Sequence, residues 1–208
     1  MGCPETLVQI ALSYAPSNYP EAQYLEGILP FDTEAYQLIA GKPYPDGFSS
    51  CAIFCLANYA RAGFRAKGIG EPYQPFVGKA ETLLVEFGRA QGALDANPDP
   101  NTFVPGDVVH IGTGMSSHWL TVIENPGDGR IISVDGGQPG ISQRERTIVR
   151  SGGGWALSDG GSTRAVLHVI RAERLNVPCA PLMQGWTGPL VALLCAVGAG
   201  SFVRWLLT

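Results

Sequence analysis

The chain has 208 residues, 45% of them hydrophobic and 15% charged, and this composition excludes a wholly disordered protein. Lys and Arg number 14 against 18 Asp and Glu, and they form no basic stripe, so we expect no nucleic-acid partner. The length suits one domain with a short appendage.

The first half of the domain is predicted to be helical. Helices are expected at residues 5–15, from the N-cap pair Ser49 and Ser50 to Arg61 or Ala62, and at residues 79–90. Beyond a loop rich in Pro, Asp and Asn, the hydrophobic period shortens to two. Strands are therefore predicted at 107–112, 118–124, 130–135, 143–149 and 164–171. Helices followed by a run of antiparallel strands indicate an α+β fold.

The C-terminal segment is apolar, with no charge from Pro189 to Val203 and with Arg204 and Trp205 near its end. As a helix, residues 188–208 would be about 31 Å long, enough to cross the hydrocarbon core of a bilayer. We therefore predict a domain at residues 1–174, a linker at 175–187 and a transmembrane helix at 188–208 that makes the lipid bilayer a partner. The alternative is a terminal helix that packs on the domain or on a partner subunit.

Cys51 is the candidate nucleophile, because it stands in the first turn of a predicted helix. The positive end of the helix dipole favours a thiolate there, and the free backbone N–H groups can hold an oxyanion. Cys55, one turn deeper in an apolar sequence, is predicted to be a packing residue. The alternative is that Cys51, too, is only a small buried residue that packs in the core.

The candidate base is His118, which opens a predicted strand directly after a Gly/Ser loop. A hairpin that pairs residue 124 with residue 130 puts His118 opposite position 136, within one residue, and so brings Asp135 beside it. Asp135 is therefore the candidate group that orients the histidine. The alternative is an aspartate that caps its own turn. If Asp135 orients His118, Asp135→Asn is expected to lower the rate by orders of magnitude with little change in stability.

Four segments, taken together and in this order, resemble the motifs of CHAP-type and NlpC-like cysteine amidohydrolases. They are Ser50–Cys55 with Ala62-Gly63, Val104–Val109, His118–Ile123 and Val134–Gln138. The resemblance covers residues 5–172. It implies a papain-like α+β fold, with N-terminal helices packed on an antiparallel sheet, over the domain at 1–174. It also implies cleavage of an amide bond in bacterial peptidoglycan, by an N-acetylmuramoyl-alanine amidase or a stem or crosslink endopeptidase.

The same resemblance implies roles for individual residues. Cys51 would be the nucleophile, His118 the base and Asp135 the orienting acid, with no metal and no organic cofactor. The residues expected to bind substrate are Ser50, Gly136 and Gln138. The sequence departs from the family pattern at Gly137, where members often place Asn, and at Ser50, which replaces Trp or Asp.

The expected location is the bacterial cell wall, reached with a C-terminal membrane anchor and without a Sec-type signal peptide, since no basic and apolar leader is apparent at the N-terminus. Phage lysis with a holin partner and toxin delivery with an immunity protein both fit this expectation. Two other functions remain open. One is a membrane-anchored thiol acyltransferase that acts on lipid, although no histidine precedes Cys51 as that group requires. The other is a non-catalytic, membrane-anchored binding module.

Overall fold

The computed structural model describes residues 3–14, 51–64, 80–136 and 141–175. Three short helices lie in these ranges: α1 (Cys3–Tyr14), α2 (Cys51–Arg61) and α3 (Ala80–Ala90). All three occur where the sequence predicts a helix. Helix α3 is amphipathic and buries Leu84 and Phe87, whereas the side chain of Glu86 is exposed.

The described strands are β1 (Leu94–Ala96), β2 (Val108–Ile111), β3 (His118–Glu124), β4 (Arg130–Asp135), β5 (Ser142–Ser151), β6 (Gly154–Ser158) and β7 (Thr163–Ile170). Five of them confirm predicted strands. The short strand β1 and the strand β6 were not predicted. Strand β6 begins at the end of the glycine run 152–154, a composition that is typical of a turn.

All seven strands form one antiparallel sheet in the order β1-β7-β2-β3-β4-β5-β6. The sheet closes on itself because β6 also pairs with β7, through Ala156 opposite Ala165 and Ser158 opposite Thr163. Strands β2 to β7 therefore form a closed six-stranded barrel. Strand β1 lies outside this ring, paired with the C-terminal half of β7.

The predicted papain-like α+β fold, with N-terminal helices packed on an antiparallel sheet, is wrong. The described chain is mostly a closed antiparallel barrel, and the helices are few and short. The physical reason is β6, because the hairpin that it makes with β5 supplies the edge that closes onto β7. Without β6 the remaining strands would leave two free edges, and an open sheet covered by helices would be the expected fold.

The barrel separates two hydrophobic clusters. One fills its interior, and its buried members are Phe103, Val109, Ile111, Leu120, Val122, Ile131, Leu157, Val166 and Val169. The other lies between the helices and the outer face of the barrel and includes Phe54, Leu84 and Trp119. Neighbouring residues of β3 alternate between the two, since Leu120 faces inward and Trp119 faces the helices.

No helix within the described ranges is long and apolar enough to cross a membrane. Residues 176–208 lie outside the described residues. They hold nearly all of the predicted linker at 175–187 and the whole predicted transmembrane helix at 188–208, so both stay predictions.

Candidate active site

Cys51 is the first residue of α2, which packs against β3. Its thiol is free and half-buried. A helix leaves the N–H groups of its first residues without partners inside the helix, so the N-terminal end where Cys51 lies is suited to bind an anion. Cys55 lies one turn further along, completely buried, with its Sγ 4.0 Å from the hydroxyl of Thr121 on β3. Burial, followed by the charge of Cys51, raises the pKa of the Cys55 thiol well above its ordinary value.

His118 is the first residue of β3 and lies at the rim of the barrel, with 18% of its side chain exposed. Its Nε2 is 2.7 Å from Oδ2 of Asp135, the last residue of β4. The side chain of Cys51 is near enough to the ring to raise the pKa of His118. Because Asp135 engages Nε2, Nδ1 is the ring nitrogen left for the Cys51 thiol. The structure therefore brings the three predicted catalytic side chains together.

The electrostatics of this chain favour a charged imidazole. Burial alone would lower the pKa of His118, but hydrogen bonds with Asp135 and Cys51, and their negative charges, outweigh burial and raise the pKa to about 9. Burial would likewise raise the pKa of Asp135. The hydrogen bond from His118 and the positive charge of Arg146 outweigh it and lower the pKa to about 2. At neutral pH the site therefore holds an imidazolium beside an ionised carboxylate.

Asp135 is held on its far side by two buried residues that the sequence analysis did not identify, Ser133 and Arg146. The Ser133 hydroxyl donates to Oδ1 of Asp135 at 2.7 Å. Nη1 of Arg146 donates to the same oxygen at 3.1 Å and also to Ser133, while Nη2 donates to Oδ2. The carboxylate thus accepts from His118, Ser133 and both terminal nitrogens of the guanidinium.

The sequence carried little sign of Arg146. It lies in the segment Ser142–Arg146 of β5, where polar and charged residues follow one another as on a solvated strand. Its neighbours Arg144 and Glu145 are indeed exposed, whereas the side chain of Arg146 is only 3% exposed. Ser133 could have been identified from the sequence. It lies two residues before Asp135 on β4, and residues two apart on a strand lie on the same face of the sheet.

Gly136 lies against α2. A Cβ atom built on Gly136 would come within 2.4 Å of Cβ of Phe54, a distance that real Cβ atoms essentially never show. The structure therefore gives Gly136 a packing role at the junction between β4 and α2, and its predicted contact with substrate stays a prediction. The other two residues predicted to bind substrate, Ser50 and Gln138, lie outside the described residues.

A second polar chain contains the other two histidines. Nδ1 of His110 is 3.3 Å from Nδ1 of His168, and its Nε2 is 2.8 Å from the hydroxyl of Ser117. Ser117 donates its single proton to Glu81 at 2.7 Å, so His110 must donate from Nε2 and, when neutral, accept from His168 at Nδ1. The His110 ring stacks on Trp119 with centroids 4.5 Å apart. This chain anchors the residue that immediately precedes His118.

Metal binding has no candidate in the described ranges. No group of three or more His, Cys, Asp and Glu side chains is arranged there to hold a metal ion.

The chain matches no protein family, and no curated protein or solved structure is significantly similar to it.

Proposed function

We propose that this protein is a cysteine hydrolase that cleaves an amide bond, with Cys51 as nucleophile, His118 as general base and acid, and Asp135 as the residue that orients His118. The observation that carries the proposal is the pairing of His118 with Asp135, with 2.7 Å between Nε2 and Oδ2, beside a Cys51 side chain near enough to raise the pKa of the same ring. A nucleophile, a base in contact with it and a third group that orients the base are the parts that covalent catalysis requires.

The mechanism follows from the charges. In the reactive state the proton of the Cys51 thiol lies on Nδ1 of His118, as a thiolate–imidazolium ion pair, and Asp135 stabilises this imidazolium through Nε2–H. The thiolate attacks the scissile carbonyl carbon, and backbone N–H groups at the start of α2 can donate to the oxyanion. His118 then gives its proton to the leaving amine. Water attacks the thioester, with His118 again as base, and releases the acid and the free thiol.

The substrate class is proposed from the motifs and not from the fold. The segments around Cys51, Val104–Val109, His118 and Asp135 resemble those of CHAP-type and NlpC-like amidohydrolases, whose substrate is peptidoglycan. We therefore propose a peptidoglycan amide as the bond that is cut. The papain-like fold that this resemblance also implies is wrong, since the described strands form a closed barrel, and it gives the proposal no support.

The test is digestion of purified peptidoglycan by the full chain, followed by mass spectrometry of the released fragments. A new amine and a new carboxyl group at one defined amide identify the bond. Cys51→Ala and His118→Gln should each release no fragments, while Cys55→Ala should retain most of the activity. If the wild-type protein leaves peptidoglycan intact but its Cys51 reacts rapidly with iodoacetamide, the thiol chemistry stands and the proposed substrate is wrong. If Cys51 is also inert, the protein is better described as a binding module.

We also propose that residues 188–208 attach the protein to a membrane. The support is the uncharged run from Pro189 to Val203, closed by Arg204 and Trp205 at the position of a lipid–water interface. A soluble reporter protein fused to residues 188–208 should float with liposomes and resist extraction at high salt. A reporter that stays in the aqueous fraction would show that this segment belongs to the protein's own packing.

A further inference from the structure

We propose that Arg146 is a positioning residue for the catalytic chain: it holds Asp135 ionised and aimed at His118, and it balances the charge of the site. The inference rests on the proposed function and extends it by one residue, from a Cys–His–Asp chain to a Cys–His–Asp–Arg chain. It is carried by where Arg146 lies and by what it contacts.

The geometry leaves Asp135 no freedom to turn. Nη1 of Arg146 donates to Oδ1 at 3.1 Å and Nη2 donates to Oδ2, which is the paired arrangement that a guanidinium makes with a carboxylate. Ser133 closes the third side, since its hydroxyl donates to Oδ1 at 2.7 Å. The remaining direction at Oδ2 is taken by Nε2 of His118. A rotated carboxylate would break several of these bonds at once.

Stability does not explain why an arginine lies here. Arg146 is opposite Ile131 on β4, and both are buried, so the position could hold an apolar side chain. Removing two charges from water costs about as much as their attraction returns, and replacement of a buried ion pair by apolar groups is often neutral or stabilising. A buried pair of this kind therefore indicates a role other than stability, and its direct contact with the carboxylate beside His118 indicates which role.

Arg146 also balances the charge of the site. When the thiol has passed its proton to the imidazole, the groups along the chain alternate in sign: Cys51 negative, His118 positive, Asp135 negative and Arg146 positive. The four together are neutral, so the ion pair of Cys51 and His118 forms without a net charge in a largely buried site. Within the described ranges, the other titratable groups that interact with the chain include Asp159, which senses the charge of Arg146, and His110, whose pKa is lowered in part by the charge of His118. Asp159 is engaged by its own loop, through the backbone N–H groups of Gly161 and Ser162.

The experiment compares Arg146→Met, Arg146→Lys and, as the matched control on the same strand, Arg144→Met. Arg144 is exposed, and among the described residues its side chain has one hydrogen bond, to the hydroxyl of Ser142. The full chain has three histidines, so ¹⁵N-histidine NMR can follow each ring, with His118→Gln identifying the signal of His118. In Arg146→Met the titration of His118 should move to lower pH by on the order of one pH unit, because Asp135, which raises the pKa of His118, is no longer held ionised and aimed at the ring. Arg146→Lys should keep the titration close to that of the wild type.

The second readout is the rate at which iodoacetamide alkylates Cys51 at pH 7, which needs no substrate. Arg146→Met should lower this rate about 10- to 100-fold, in the range seen when outer partners of a functional residue are removed. Arg146→Lys should recover part of the loss, and Arg144→Met should change nothing. A titration of His118 that stays in place or moves up in Arg146→Met would overturn the proposal, as would an unchanged alkylation rate. If Arg146→Met does not fold, the rate of Cys51 alkylation in Arg146→Lys tests the proposal. A rate equal to that of the wild type would show that the paired arrangement of guanidinium and carboxylate is not needed.

These readouts keep the two proposals apart. If both effects occur but peptidoglycan is not cut, Arg146 is a positioning residue and the substrate is wrong. If peptidoglycan is cut at the wild-type rate by Arg146→Met, the proposed function stands and the positioning role is wrong.

Discussion

Asp135 lies directly opposite Leu120 in the β3–β4 pair, and this places its side chain on the same face of the sheet as His118. A register shift between Val122 and Glu124 produces this arrangement. Near the turn, Glu124 pairs with Ile132, and that register continued along the strands would put Asp135 opposite Thr121, on the face toward the helices. A shift of one residue turns every side chain to the other face, so the irregularity at residue 123 decides whether Asp135 can reach the base.

The first prediction separates the two cysteines of α2. Cys51→Ala should abolish hydrolysis, because the only free thiol beside His118 among the described residues is lost. Cys55→Ala should leave most of the activity, because Cys55 is completely buried and its raised pKa keeps it a neutral thiol. The measurement is fragment release from peptidoglycan together with iodoacetamide labelling located by peptide mass spectrometry. Comparable losses in the two variants would contradict the assignment of the nucleophile.

The second prediction concerns Asp135→Asn, and Arg146 changes what is expected of it. The sequence alone predicts a large loss of rate with little change in stability. The structure predicts the same loss of rate but also a cost of about 3–5 kcal/mol in the free energy of unfolding, since Arg146 would be left buried with an unpaired charge. Urea denaturation of the variant measures this cost.

The double variant Asp135→Asn with Arg146→Met is the control for that prediction. It removes both charges, so it should recover a large part of the stability lost in Asp135→Asn while remaining inactive. If Asp135→Asn is as stable as the wild type, the buried pair does not have the energetic importance that its geometry suggests.

More of the site than of the fold could be predicted from the sequence. Cys51 and His118 are marked by local signals, a helix start and a strand start, and a short hairpin brings Asp135 near because its turn limits the register to within one residue. The role of Arg146 could not be predicted, because a charged residue in a polar strand ordinarily faces water. Closure of the barrel could not be predicted either. It depends on β6, whose glycine-rich start is typical of a turn, and on the pairing of β2 with β7, which are far apart in the chain.

The third prediction is a pH dependence of stability that His118 causes. Its pKa is raised in the folded state to about 9 from an ordinary value of 6.5, so its contribution is fully present below pH 6.5 and is lost as the pH rises through 9. This increase in pKa corresponds to a contribution of at most about 3 kcal/mol to the free energy of unfolding. Urea denaturation between pH 6 and pH 9 should show stability falling in the wild type. The difference between the wild type and His118→Gln isolates this contribution, because both proteins share every other titrating group. Parallel curves would show that folding does not raise the pKa of His118.

The fourth prediction uses the close approach of Gly136 to α2. In Gly136→Ala the new Cβ would meet Cβ of Phe54 at 2.4 Å, and neither atom belongs to the flexible end of a side chain. Either the end of β4 or helix α2 must move, and overpacking of this kind costs about 1–3 kcal/mol. Because Asp135 precedes Gly136 and Cys51 begins α2, the same movement should separate the thiol from His118. We therefore expect activity to fall by more than the loss of stability alone explains at a temperature where the variant is folded.

Gly161→Ala is the matched control for that variant. A Cβ on Gly161 would meet only the carboxylate of Asp159, at an ordinary 3.8 Å, and should change stability by less than about 0.5 kcal/mol. Thermal unfolding and the rate of Cys51 alkylation, measured for both variants, test the expectation. If Gly136→Ala matches Gly161→Ala in both measurements, the close packing of β4 on α2 does not set the distance between Cys51 and His118, and the packing role given to Gly136 is wrong.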